Sequence, residues 1–277
     1  MSRTAADPNI QTYNSGAVIA HYSSLNYLTA CERLLFETCI AEGSTILDLG
    51  VGGGRTTGIL ARRASRYVGA DYAAGMVEAC RGKFPALEFV VCDASDLSAF
   101  SDASFEVVVF AYNGIDFVQP DVARMKCFLH IQRVLKPGGV LIFSSHNPRA
   151  VLIRPSWNRE RLRQITERVA PRSMHKLVLA ILTVLRAVAA FAQAAARSLV
   201  RVVRRIPRRT FWRGKGTLVD SAHGGLATHY CVPWRMIAEV ELAGLRPVWL
   251  VGDDYPARSG AYTTDWYYYV FAKARDL

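Results

Sequence analysis

Acidic residues almost vanish from one stretch of this chain. Between residues 151 and 216 only Glu160 and Glu167 are negative, against sixteen lysines and arginines. That stretch is net +14 while the whole 277-residue chain is +11, so the remainder carries −3. The basic character therefore belongs to one segment, and any partner it attracts meets the chain there. Paired cysteines are missing too. Cys31, Cys39, Cys80, Cys92, Cys127 and Cys231 form no C-x-x-C pair and do not cluster with histidines. A zinc site or a disulfide framework is thus not expected, and the thiols read as reduced, mostly buried groups of a cytosolic protein. The opening residues, MSRTAADPNI, hold no apolar run, so no secretory signal is expected. Disorder of the whole chain is excluded by a hydrophobic content of 51%. The length suits one large α/β domain, or a domain with an inserted subdomain.

What is present centres on residues 46–60, ILDLGVGGGRTTGIL. An apolar run (Ile46, Leu47, Leu49) carries Asp48 near its end and meets Gly50, Gly52 and Gly54 before a helical apolar pattern starts near Thr57. This is a buried parallel strand, a tight turn and a helix start. Glycine suits the turn because the chain reverses sharply and the backbone must approach a ligand with no Cβ in the way. Free N–H groups at the helix start favour an electron-rich or anionic group. A dinucleotide fingerprint, G-x-G-x-x-G, is lacking, since Arg55 stands at its third glycine position. The pattern D-x-G-x-G-x-G instead resembles the nucleotide-binding motif of class I S-adenosylmethionine (SAM) methyltransferases.

The rest of residues 13–148 continues the resemblance. Three further runs end in acids or polar residues: YVGAD to Asp71, LEFVVCD to Asp93, and FEVVVFAY leading to Asn113 and Asp116. A fifth apolar run, residues 140–145, is followed by His146. Helices are expected over residues 57–64 and 125–135, with LKPGG at 135–139 as a turn. Pro233 and Gly244 bracket an amphipathic helix, and apolar runs at 247–251 and 266–272 follow it. The expected fold is α/β, a doubly wound, mainly parallel seven-stranded sheet, with a basic, apolar helical insert between the fifth strand and the last helix. The organisation reads as an N-terminal helical cap (1–42), a SAM-binding core (43–150), the insert and substrate cap (151–232) and a C-terminal completion of the sheet (233–277).

The resemblance implies a set of cofactor residues. Asp48, Gly50, Gly52 and Gly54 form the loop, and Arg55 is a candidate partner for the methionine carboxylate. Asp71 accepts from the ribose hydroxyls, Met76 lies near the adenine, and Asp93, Ala94 and Ser95 meet the adenine edge. Asn113 arrives at the same sheet edge. Tyr22, in an aromatic stretch with Tyr13 and Tyr27, either folds over the cofactor or packs on the sheet edge. Histidine has the unperturbed pKa, about 6.5, that suits a general base. His146 is the first candidate, ahead of His229, His223 and Asp116. No metal is expected. The N-P-P-Y run of amino-directed DNA or protein-glutamine methyltransferases is absent, with Tyr112-Asn113-Gly114-Ile115 standing there.

Residues 177–196 of the insert are nearly apolar. On a helical wheel of about 100° per residue, Arg186, Gln193, Arg197, Arg201 and Arg204 share one stripe. Leu, Val, Ile, Ala and Phe fill most of the remaining circumference. Such a helix over residues 176–205 suits the plane of a membrane interface. A full span would strand Arg186 near the bilayer centre. Burial against the domain or a second subunit, and nucleic-acid binding, are the alternatives. The function expected is SAM-dependent methyl transfer to a small-molecule, sugar or lipid-linked acceptor at oxygen. The alternatives are an RNA methyltransferase and a non-catalytic SAM-binding protein. The expected location is cytoplasmic, peripheral at the inner face of the membrane.

Overall fold

Apolar runs punctuated by glycines and acids become strands whose carboxyl ends gather at one edge of a sheet. The computed structural model describes residues 8–153, 175–204, 208–220 and 226–275. In chain order the helices α1 (Pro8–Tyr13), α2 (Gly16–Ser24) and α3 (Ala30–Cys39) precede β1 (Ser44–Leu49). Then come α4 (Thr57–Arg63), β2 (Ala64–Asp71), α5 (Ala74–Lys83), β3 (Glu88–Val91) and β4 (Phe105–Phe110). A 3₁₀ turn (Gly114–Phe117), α6 (Asp121–Val134) and β5 (Leu135–His146) follow. The insert contributes α7 (His175–Arg204), α8 (Arg208–Arg213), β6 (Lys215–Asp220) and β7 (Leu226–Cys231). The chain closes with α9 (Pro233–Glu241), β8 (Leu245–Gly252) and β9 (Trp266–Lys273).

Seven strands form one sheet in the order β3-β2-β1-β4-β5-β9-β8. The first five run parallel, and β9 lies antiparallel between β5 and β8. The expected doubly wound sheet is therefore present. Side chains alternate across it, so Leu47 and Leu49 enter one core with Val108, Phe128, Phe143 and Met236. Ile46 enters the opposite core with Leu35, Phe36, Leu60, Val77 and Val109. Both faces are covered, which is why these strands read as near-continuous apolar runs.

Local chemistry moved several boundaries. The leading aromatic stretch is three helices, because Thr29 caps α3: its hydroxyl accepts from the Glu32 N–H and the Glu32 carboxylate accepts from the Thr29 N–H. β4 stops at Phe110, since Tyr112 and Asn113 turn left-handed at φ 54° and 62°. LKPGG is the start of β5 and not a turn, with Leu135 opposite Phe105 across a register shift. The β6–β7 ladder, in which Thr217 faces His229 and Gly216 faces Tyr230, was not expected. Its two strands are short and carry no strict alternation in sequence.

The glycine loop also makes a contact that no motif announces. A Cβ added to Gly53 would stand 2.3 Å from the backbone nitrogen of Ser23, at the end of α2. Backbone cannot yield as a side-chain tip can. Gly53→Ala is therefore expected to lower stability by about 1–3 kcal/mol, the usual cost of overpacking. Thermal unfolding of the purified variant measures it, and an unchanged midpoint would show that α2 can part from the loop freely.

Candidate active site

Strand order reverses beside β1, where β2 and β4 flank it, and such switch points open a crevice at the strands' carboxyl ends. A cavity of about 740 Å³ lies there, within the range that holds a cofactor-sized ligand. Gly50, Gly52 and Gly54 all adopt left-handed φ (61°, 53° and 78°), which only glycine adopts without strain. A Cβ on Gly50 would lie 2.6 Å from the Phe110 ring. The Gly52 N–H donates to Asp71 Oδ2 at 2.9 Å and the Ala73 N–H to Asp71 Oδ1 at 2.9 Å, so the tip of β2 is fastened to the loop. Burial raises the Asp71 pKa above the usual carboxylate value.

Asp48, Gly50, Gly52, Arg55, Asp71, Met76, Asp93, Ala94, Asn113 and Tyr22 all line this cavity. Gly54 and Ser95 do not. Gly54 leaves room for Phe84, whose ring would be 2.8 Å from an added Cβ. Ser95 turns back, its N–H and hydroxyl both donating to Asp93 Oδ1 at 2.8 and 2.9 Å. Tyr22 belongs to an aromatic group in which Tyr13 sits 5.9 Å from Tyr22 and 6.0 Å from Tyr72. Asp48 is held by the hydroxyls of Thr56 and Tyr67, each at 2.9 Å, and burial pushes its pKa up to about 6.

Arg55 has a different partner from the one expected. Its guanidinium is gripped by both carboxylate oxygens of Glu32 and donates to the Tyr27 carbonyl at 2.9 Å. The Tyr27 and Tyr112 rings lie 5.3 and 4.8 Å from it. The fork is thus spent on α3 before any methionine carboxylate arrives. Glu32 was missed in the sequence, although T-x-x-E at Thr29–Glu32 is a capping-box signature that marks its place. Removing one partner of a buried pair leaves an uncompensated charge, so Glu32→Gln is expected to cost on the order of 3–5 kcal/mol. Urea unfolding at neutral pH measures this, and a loss below 1 kcal/mol would show that water or another group takes over.

At the end of β5 a histidine meets a buried acid. Asp116, fully buried in the 3₁₀ turn, accepts from Ser145 Oγ (2.7 Å), the His146 N–H (2.8 Å) and His146 Nδ1 (2.7 Å). Nδ1 is therefore the donor and Nε2 the acceptor, receiving the Asn113 Nδ2–H at 3.2 Å, and His146 and Asn113 both line the cavity. Asn113 is held in its left-handed turn by Ser144 Oγ, which accepts its N–H at 2.8 Å. Asp116 itself, expected as an alternative base, does not reach the cavity. It orients His146.

The other two histidines are not placed with it. His223 lies outside the described residues. On β7 it is Tyr230 that faces the cavity, and strand alternation turns His229 to the opposite side, 1% exposed. His229 is thereby corrected from a catalytic candidate to a buried neutral group. Burial first, then the Arg124 charge, depresses its pKa to about 4. Its ordinary value is 6.5, so the unfolded chain protonates first and stability is lost as pH falls from about 6.5 through 4. His229→Leu is expected to remove that loss, gaining about 3 kcal/mol over wild type at pH 4 relative to pH 7. Paired denaturation curves at the two pH values test this, since Asp48 titrates identically in both proteins. Parallel curves would overturn the assignment.

The residues present fit an adenosyl ligand with a cationic sulfur. Carboxylates at two neighbouring strand tips, Asp71 and Asp93, suit hydroxyl and amino donors. Buried Asn113 Oδ1 has no hydrogen-bond partner among the described residues. The family described as "Methyltransferase domain" matches residues 46–139. The chain is 35% identical over 120 residues to a demethylmenaquinone methyltransferase of Clavibacter sepedonicus, covering 42% of this chain and 47% of that protein. It is 33% identical over 162 residues to a demethylmenaquinone methyltransferase of Mycobacterium sp. (strain KMS), covering 54% and 67%. It thus spans under half the length of the first relative and two thirds of the second. A SAM-dependent methyltransferase of Methanosarcina mazei superposes with a TM-score of 0.58 at 16% identity, over 91% of this chain and 100% of that one. A 1,6-didemethyltoxoflavin N1-methyltransferase of Burkholderia thailandensis, solved with S-adenosylhomocysteine, gives 0.52 at 12% identity, over 96% and 82%. These two likenesses are of fold.

Proposed function

Because the chain belongs to the class I SAM-dependent methyltransferases, we propose that it transfers the methyl group to a hydroxyl oxygen of a small-molecule, sugar or lipid-linked acceptor. The carrying observation is His146, which lines the cavity with Asp116 holding Nδ1 and Nε2 left as the accepting nitrogen, where an acceptor hydroxyl would replace the Asn113 amide. When bound, SAM supplies an electrophilic methyl carbon on a sulfonium centre. An oxygen acceptor is a poor nucleophile until its proton leaves, and a nitrogen base at hydrogen-bonding distance would take that proton as the new C–O bond forms and the C–S bond breaks, its electron pair leaving with the thioether sulfur. Asp116 keeps the imidazole in the accepting tautomer and balances the charge it gains. Asp71 and Asp93 hold the nucleoside, and the glycine loop brings the backbone against it. Tyr230 and Trp266, with rings 5.1 and 6.3 Å from that of His146, form an aromatic wall on the acceptor side and exclude water.

Two variants separate cofactor from chemistry. Asp71→Asn leaves one acceptor oxygen in place of two and is expected to weaken SAM at least about tenfold, the worth of one charge-assisted hydrogen bond, by titration calorimetry. His146→Ala is expected to leave SAM affinity within about twofold but to lower methyl transfer by roughly 10²–10⁴-fold, the range of a lost general base. The assay follows radiolabelled methyl from SAM into lipid, sugar, small-molecule and RNA pools. Label entering only RNA would replace this reading with an RNA methyltransferase. SAM binding with label in no pool would make the chain a binding protein.

A further inference from the structure

α7 turns its greasiest side away from the protein. Leu177, Ile181, Val184, Val188, Phe191 and Leu199 are each at least half exposed. At about 100° per residue these six fall within an arc of about 80° opposite Arg186. The helix is anchored through small residues on its flank: Ala194 and Ser198 are buried, and Ser198 Oγ accepts the Ile153 N–H at 2.8 Å. Arg186 and Arg197 stand exposed on the side away from the aliphatic arc. No acidic residue occurs in the thirty residues of the helix. The aliphatic arc is thus not packed against the described part of the chain's own domain.

We propose that α7 docks this protein, as a peripheral protein, on an anionic phospholipid bilayer, lying in the plane of the interface with its aliphatic arc in the acyl boundary. A helix of thirty residues is about 45 Å long, and its composition alone would permit a crossing. Topology forbids one. The chain leaves β5 and returns to β8 and β9 of the same sheet, so both ends of α7 belong to one folded body on one side. Residues 154–174, which link β5 to it, carry eight charged side chains and cannot supply a second crossing. Charge selects the partner. The helix carries Lys176, Arg186, Arg197, Arg201 and Arg204 and no acidic residue, which attracts an anionic leaflet, whereas pairing two copies through this arc would bring two such cationic helices together. Nucleic acid would leave the aliphatic arc in water. Ile153, tied to α7, lies three residues from Ala150 on the cavity wall. A lipid-linked acceptor in the bilayer is thus presented beside the cavity, a step that rests on the methyl-transfer reading while the docking does not.

The test is flotation of the full chain with phosphatidylcholine vesicles, with and without phosphatidylglycerol. Wild type is expected to float with the anionic vesicles and to lose binding as salt rises. Val184→Glu with Val188→Glu is expected to reduce binding by more than about tenfold, since charges then enter the acyl boundary. Arg186→Gln and Arg197→Gln are each expected to cost about fivefold. All these positions are exposed, and unchanged SAM calorimetry and circular dichroism show that the variants fold. Failure of wild type to float, or undiminished flotation of the valine pair variant, overturns the proposal. A concentration-dependent dimer in sedimentation, dissolved by the same valine pair, would give the arc to a second copy and overturn it as well. Methyl transfer is not needed for any of these readings.

Discussion

Arg55 and Glu32 are each more than nine-tenths buried, and an isolated charge at that depth is expensive. They are tolerable only together, with two parallel N–H···O bonds and the Tyr27 carbonyl filling out the fork. Everything on the near side of the cavity follows from that constraint. Glu32 is also half of the capping box that starts α3, so the pair fixes where α3 begins relative to the glycine loop. The segment before α3 must then pass over the loop. It does so closely enough that Ser23 lies against Gly53 and Tyr22 against Gly52. The N-terminal helices are thus held as one wall of the site.

The far wall depends on a second constraint, at the tip of β4. Tyr112 and Asn113 both take positive φ, a conformation costing of order 1–3 kcal/mol for a residue with a side chain. The turn persists because Ser144 holds the Asn113 N–H and because the 3₁₀ turn that follows delivers Asp116 beneath His146. Strain at one strand tip therefore positions the acid that orients the base on the next. Mobile side chains alone would not hold the imidazole at the cavity wall with Nε2 as its accepting nitrogen, whereas a carboxylate with three donors already in place does so without further ordering.

What the sequence made legible was local. The D-x-G-x-G-x-G loop, the acids at strand tips and the histidine after the fifth strand are each set by a few consecutive residues, and of the cofactor residues so expected all but Gly54 and Ser95 reach the cavity wall. Gly54 makes room for Phe84 instead, and Ser95 turns back onto Asp93. Partnerships between distant residues were not legible. Arg55 looked available until Glu32, from another helix, took its fork. His229 and Tyr230 are adjacent and equally plausible in sequence, but strand parity sends only one of them to the site. That parity could be assigned only once β7 was known to be a strand. Gly53 resembles its neighbours in the motif, yet its necessity comes from Ser23, thirty residues earlier.

The insert shows the same division between pattern and placement. Helical periodicity revealed a cationic stripe and an apolar remainder, without saying which side would meet the protein. The answer lies in residue size. Ala194 and Ser198 are the small residues that let the backbone of α7 come close to Ile153, and the large aliphatic side chains stand on the adjoining flank, where they stay at least half exposed among the described residues. Had the large residues faced inward, the helix would have added to the core and the basic charge would have been the only surface signal. As built, apolar area and positive charge are both offered outward from one rigid element. A bilayer with anionic headgroups answers both at once, because it is apolar within and negative at its edge.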